Sequence, residues 1–332
     1  MGVEVAYVTH PACLDHLADS SHPERPDRLH AFDAGIKASG VSARPLAAEP
    51  AERKWLEAVH DPLYLDRLRD FSLTGGGIVD SDTWVDSSTW EAALRAAGAG
   101  GVALSEGAEI SLLGVRPPGH HALRQRAMGF CFLNNIAVAT VQIRDRGEKV
   151  AIIDWDVHHG NGTQAMVAED PGTLYVSLHQ SPFYPLTGNL GETGVDGTTV
   201  NLPFPAGTGG DVYRQAFARV IGPIIRQFKP GHILISAGFD AHRADPLADM
   251  SLASSDYGFM AQAIRQAAPS APAMVFLEGG YDLAAIEAST AATVHGLVGD
   301  WNEPPNSGEA SPAGAFAVVD EAERIFSNFW RL

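Results

Sequence analysis

Aspartate and histidine crowd one segment, Asp154-Trp155-Asp156-Val157-His158-His159-Gly160-Asn161-Gly162. In an extended chain, residues two apart project to one side, so Asp154, Asp156 and His158 are expected to share a face. Two carboxylates and an imidazole at the end of a buried strand are costly unless a cation neutralises them. A divalent metal meets that need, and the oxygen and nitrogen donors of Asp and His suit Zn2+. A catalytic zinc site keeps three protein ligands and one open position. The third is expected at another strand end, where Gly238-Phe239-Asp240-Ala241-His242-Arg243-Ala244-Asp245-Pro246 offers Asp240, His242 and Asp245. Spacing does not choose among them.

Further groups follow other candidate strands. Arg116-Pro117-Pro118-Gly119-His120-His121-Ala122 reads in isolation as a surface turn. Beside a metal-activated water, its two histidines supply a general base and a general acid. Gly129-Phe130-Cys131-Phe132-Leu133-Asn134-Asn135 opens a helix with aromatic residues, and Phe130 taken singly fits a core equally well. Leu277-Glu278-Gly279-Gly280-Tyr281-Asp282 sets a phenol after two glycines, where it can donate to a developing oxyanion.

The elements that must position these groups are legible as alternating runs. Strands are predicted at 3–8, 110–115, 150–155, 174–178, 232–237 and 273–277. Helices are predicted at 26–39, 88–106, 134–144, 211–228, 255–266 and 283–297. Apolar strands separated by helices predict a parallel sheet covered on both faces. Ligands of such sheets bind where loops leave the carboxyl ends of the strands. Gly75-Gly76-Gly77 reads as a flexible loop rather than a phosphate loop. Residues 303–314, rich in Pro, Gly and Ser, read as a linker. A helix over 317–329 is then expected to pack on the body or on a second subunit. One catalytic domain, 1–300, followed by linker and helix, 301–332, is the expected organisation.

Composition excludes several classes. Twenty-three Lys and Arg stand against 40 Asp and Glu, a net charge of −17. That balance disfavours a nucleic-acid partner, because phosphate-backbone binding is driven by Lys and Arg. Apolar residues at 45% argue against disorder. Cys13 and Cys131 are the only cysteines, too few for a disulfide framework or a thiolate-rich metal site. The opening MGVEVAYVTHP lacks a basic and apolar leader pattern, and no apolar run approaches the ~18 residues of a membrane span. A cytoplasmic protein without a membrane partner is expected.

In this order, RPPGHHA, GFCFLNN, DWDVHHGNGT, SLHQSPFYP, SAGFDAHRADPL and LEGGYD resemble the zinc-dependent histone deacetylase superfamily. That family includes bacterial deacetylase-like amidohydrolases and acetylpolyamine amidohydrolases. The matching motifs run from the His22-Pro23-Glu24-Arg25-Pro26 segment to Asp282. The resemblance implies a single-domain arginase-like α/β fold, with a central, largely parallel sheet and helices on both faces. It implies zinc ligation by Asp156, His158 and Asp245. It further implies that His120 pairs with Asp154, that His121 is the general base with Asn161 as its partner, and that Tyr281 polarises the scissile carbonyl. Gly129, Phe130 and Tyr184 match the walls of a narrow channel, Asp82 its rim and Leu247 the position after the third ligand's Asp-Pro. A structural K+ or Na+ ion is implied at Asp154, Ser177 and Leu178, with backbone oxygens of Asp156 and His158. A second such site falls around Val167, Asp170 and Thr173. The expected substrate is an acetylated lysine in a protein or peptide. An acetylated small amine is the alternative, as is a noncatalytic acyl-lysine-binding module. A homo-oligomer is compatible with all of these.

Overall fold

Apolar runs buried on both sides pair in parallel here, as their composition demands. The computed structural model describes residues 3–17, 22–302 and 310–332. In chain order the strands are β1 (Val5–Thr9), β2 (Ala43–Ala47), β3 (Gly77–Ile78), β4 (Trp84–Val85) and β5 (Ile110–Gly114). They continue with β6 (Val150–Asp154), β7 (Thr173–Gln180), β8 (Thr199–Phe204), β9 (His232–Ala237) and β10 (Ala273–Leu277). Eight of them form one sheet in the order β2-β1-β5-β10-β9-β6-β7-β8, and every pairing is parallel. β3 and β4 form a separate antiparallel ribbon.

All six expected strands lie in this sheet, with ends shifted by up to two residues. The two unexpected strands, β2 and β8, are its edges. Pro45 and Pro203 interrupt their apolar patterns, and proline in a sheet is confined to such edges. The strand order brings β5, β10, β9 and β6 side by side, so the loops that leave their carboxyl ends are neighbours. Register levels these ends, with Asp154 opposite both Ser236 of β9 and Ser177 of β7.

Helices cover the sheet. The Thr89–Glu106 helix uses Ala and Gly to come close: a Cβ on Gly100 would lie 2.6 Å from that of Ala139. The segment expected as one helix over 211–228 is two, Gly210–Ala216 and Gly222–Phe228, joined by a π-helical turn at Phe217–Ile221. Pro223 has no N–H to donate, and the widened turn comes just before it. Near the C-terminus, residues 303–309 of the expected linker lie outside the described residues. The following helix spans Ala313–Phe326, earlier than the expected 317–329, with Pro312 at its N-cap. It buries Ala315, Val319, Ala322 and Phe326, and Glu323 pairs with Arg219 of the body.

Candidate functional site

β6 ends at Asp154, and the chain beyond it turns rather than remaining extended. The alternation expected to align Asp154, Asp156 and His158 therefore does not operate. Side-chain turns bring them together instead. Asp154 Oδ1 accepts the Asp156 N–H at 3.2 Å, and Asp156 Oδ1 accepts that of His158 at 2.9 Å. His158 Nδ1 then lies 3.0 Å from Asp156 Oδ1 and 3.3 Å from Asp240 Oδ2. Asp156, His158 and Asp240 form a compact set whose ligating atoms all lie within 4.8 Å of one another.

Asp245, the ligand implied by the resemblance, lies outside this compact set. Its carboxylate accepts backbone N–H groups of Leu247 at 3.0 Å and Tyr281 at 2.7 Å. Burial, and then the charge of Asp240, raises the pKa of Asp245. Asp240 is raised in turn by burial and by Asp156. Its Oδ2 is buried and receives no aligned hydrogen bond. Burial opposes charge on His158, yet Asp156 and Asp240 outweigh it and raise the ring's pKa to about 10. Three crowded carboxylates, one with an orphaned oxygen, thus draw positive charge to one point. That donor set fits a divalent ion such as zinc. His242 stands apart, with Nδ1 accepting the Ala244 N–H at 3.1 Å.

The two histidines after β5 sit against this set, their ring centroids 4.0 Å apart. His120 Nδ1 is 3.1 Å from Asp154 Oδ2, and Nε2 is 3.7 Å from Asp156 Oδ1. Burial opposes its charge, but Asp156 and Asp154 outweigh burial and raise its pKa. His121 differs. Its Nδ1 donates to the Asn161 Oδ1 amide oxygen at 2.8 Å, which leaves Nε2 unprotonated. Burial, followed by the positive charges of His120 and His158, lowers its pKa. The two rings are pushed in opposite directions, a pairing suited to electrostatic support beside a base.

A cavity of about 240 Å3 opens over these groups, lined among others by His120, His121, Asp156 and His158. Its walls include Gly129, Phe130, Tyr184, Leu247 and Tyr281, with Asp82 also on its lining. Phe183 stacks on His158 at 5.2 Å, and Tyr184 meets His121 edge-on at the same distance. Gly129 and Phe130 both have positive φ, 55° and 66°. A Cβ on Gly129 would lie 2.5 Å from His121, so glycine is required there. Thr83 Oγ1 accepts the Phe130 N–H at 3.1 Å and holds this unusual backbone.

The two glycines before Tyr281 let the backbone come close to the acidic groups. A Cβ on Gly279 would strike the Asp240 and Asp156 carboxylates, so that position serves close approach. Arg28, fully buried, donates to Gly280 O at 2.6 Å and to Glu278 O, and lies 5.1 Å over the Tyr281 ring. Burial, against the opposing charge of Arg28, raises the Tyr281 pKa, so its hydroxyl remains a donor. Sequence reasoning passed over Arg28, Phe183 and Thr83. Arg28 and Phe183 lie in or beside quoted motifs, but nothing in a linear pattern shows that a distant arginine reaches Gly280.

Asp154 and Ser177 are cross-strand partners, and Ser177 Oγ pairs with His179 Nδ1 at 2.9 Å. At the more distant turn, Asp170 forms a bidentate pair with Arg144 at 2.7 and 3.1 Å. The charge facing Asp170 there is the protein's own guanidinium.

Residues 22–297 match the histone deacetylase domain family. A probable deacetylase of Archaeoglobus fulgidus is 37% identical, over 83% of this chain and 81% of that protein. A histone deacetylase-like amidohydrolase of Pseudomonas aeruginosa is 35% identical, over 95% of this chain and 85% of that protein. The crystal structure of the HDA15 HD domain superposes with a TM-score of 0.90 at 34% identity, covering 99% of this chain and 95% of that one.

Proposed function

Because this chain belongs to the histone deacetylase family, whose fold it shares, we propose that it is a zinc-dependent deacetylase acting on N-acyl amides, above all acetyl-lysine side chains. The observation that carries the reading is the His121–Asn161 bond, which leaves a bare Nε2 in the same cavity as Asp156, His158 and Tyr281. Asp156, His158 and Asp245 would hold the metal, with Asp240 bracing the Val157 N–H at 2.8 Å. A zinc ion there would supply polarisation of the acyl oxygen and a water of lowered pKa.

The chain's own groups do the rest. His121 Nε2 takes a proton from the attacking water and passes it to the departing amine nitrogen, giving carboxylate and free amine. His120, tethered to Asp154, steadies the negative charge that develops, and the Tyr281 hydroxyl donates to the oxyanion. Gly129, Phe130 and Tyr184 line the alkyl chain's path, and Asp82 receives substrate N–H at the rim. Potassium or sodium beside Asp154, Ser177 and Leu178, with the backbone of Asp156 and His158, belongs to the same reading. A reducing, cytoplasmic setting is consistent with two buried free cysteines. No helix among the described residues is long and apolar enough to cross a membrane.

The mouth favours a lysine in a polypeptide over a free polyamine. Tyr184 (36% exposed) and Leu247 (39%) give it an apolar rim. Asp80, the acid near Asp82, already pairs with Arg126 at 3.1 Å. A panel of acetyl-lysine peptides, N-acetylputrescine and N-acetylspermidine decides. Preferential release of acetate from the peptides supports the reading. Preference for the acetylpolyamines replaces it, and peptide binding without turnover indicates a noncatalytic binder.

A further inference from the structure

Glu278 directly follows β10 and is fully buried, yet it neither lines the channel nor belongs to the groups assigned above. Its Oε2 accepts two backbone N–H groups, from Gly119 at 2.7 Å and His120 at 3.2 Å. Its Oε1 accepts the Ser236 hydroxyl of β9 at 3.3 Å. The two N–H groups belong to the turn that carries both histidines. That turn follows two prolines and lies beyond the end of β5, so no strand ladder satisfies it. Buried backbone donors need acceptors, and a single carboxylate oxygen serves both.

The turn has little freedom elsewhere. A Cβ on Gly119 would lie 2.5 Å from the Asn135 nitrogen, so the backbone is already pressed against the next helix. The residues after Glu278 perform parallel tasks. Gly279 N–H donates to Asp156 Oδ2 at 2.7 Å, and Tyr281 N–H donates to Asp245 Oδ2 at 2.7 Å. One short turn therefore touches the histidine pair, two acidic groups of the candidate metal centre and the tyrosine.

We propose that Glu278 is a positioning residue, whose carboxylate fixes the level of His120 and His121 against the metal-binding carboxylates and Tyr281. The proposal rests on the deacetylase reading. Its effect belongs in turnover, because a misplacement of about 1 Å in a catalytic group can cost ~10²-fold.

Two variants test it. Glu278→Gln removes the charge but keeps an oxygen for both N–H groups. Glu278→Asp keeps the charge but withdraws it by one methylene. The expected result is kcat within about 3-fold of the parent for Glu278→Gln and lowered roughly 10- to 100-fold for Glu278→Asp. KM and zinc content should be unchanged in both. The opposite ranking, Asp active and Gln impaired, overturns positioning in favour of a charge effect. Losses shared equally by kcat, KM and zinc content overturn it in favour of general structural support.

Hydrogen exchange at the Gly119 and His120 amides gives a readout without catalysis. Protection in the parent and Glu278→Gln, with fast exchange in Glu278→Asp, is expected. Equal protection in all three overturns the clamp. A parent inert on every acyl substrate while keeping this exchange pattern would overturn the deacetylase reading and leave the clamp standing.

Discussion

At the scale of single residues, the roles proposed for the acids around His158 can be separated by substitution. Zinc measured by elemental analysis should fall well below one equivalent in Asp245→Ala. It should persist in Asp240→Asn, which keeps an acceptor for the Val157 N–H. The reverse order would make Asp240 the third ligand. His121→Ala should lose about 10²–10⁴-fold in turnover with zinc retained, the usual contribution of positioned proton transfer. Near-parent turnover would mean that another group is the base. Tyr281→Phe should lose roughly 10²–10³-fold in kcat with little change in KM, as removal of one oxyanion donor does. A loss confined to KM would assign the phenol to ground-state binding. The residue types at this site were legible in the sequence, but the geometry that unites them was not. Asp154, Asp156 and His158 converge through carboxylates that accept the backbone N–H two residues on, a local hydrogen-bond choice that strand alternation does not describe.

At the scale of elements, the helix Asn135–Asp145 shows how a motif serves fold and site together. Asn134 caps it by accepting the Ala137 N–H at 3.0 Å, and the same residue's own N–H donates to His60 Nε2 at 2.9 Å. His60 Nδ1 faces Leu123 O at 3.1 Å, so the buried ring is held as one neutral tautomer. Burial lowers its pKa to about 4, below the ordinary 6.5. The unfolded chain therefore takes the proton first. The stability that the neutral ring contributes is complete above pH ~6.5 and is lost as pH falls towards 4, a change on the order of 3 kcal/mol. Urea midpoints measured from pH 7 to pH 4 should fall with acid, and less steeply in His60→Gln. An unchanged slope would remove His60 from the account. The sequence showed this helix through its apolar period, but not the cap that Asn134 supplies. It did not show the short helices Arg53–Val59 and Asn161–Val167, whose seven residues are too few to establish a period.

At the scale of the whole molecule, the sheet was legible because its inner strands are buried on both faces and read as unbroken apolar runs. β2 was not, since most of its residues are exposed and Arg44 and Pro45 break the run. Strand order was also beyond a linear reading, because parallel neighbours can be distant in sequence. β10, made last, lies between β5 and β9. During synthesis, β2, β1 and β5 can assemble early, and β6 to β9 later, but no backbone ladder joins the two halves until residues 273–277 emerge. At ordinary translation rates, the nascent chain waits roughly 10–30 seconds between β5 and its clasp, with strand edges uncovered. A chain ended after residue 270 should scatter light as aggregate and release no acetate, and a monodisperse, active fragment would refute this order of assembly. The protein is thus locked in two senses by one segment: until β10 slides home, the nascent polypeptide has neither a continuous sheet nor the Glu278–Tyr281 turn, so unfinished copies should carry no hydrolytic activity.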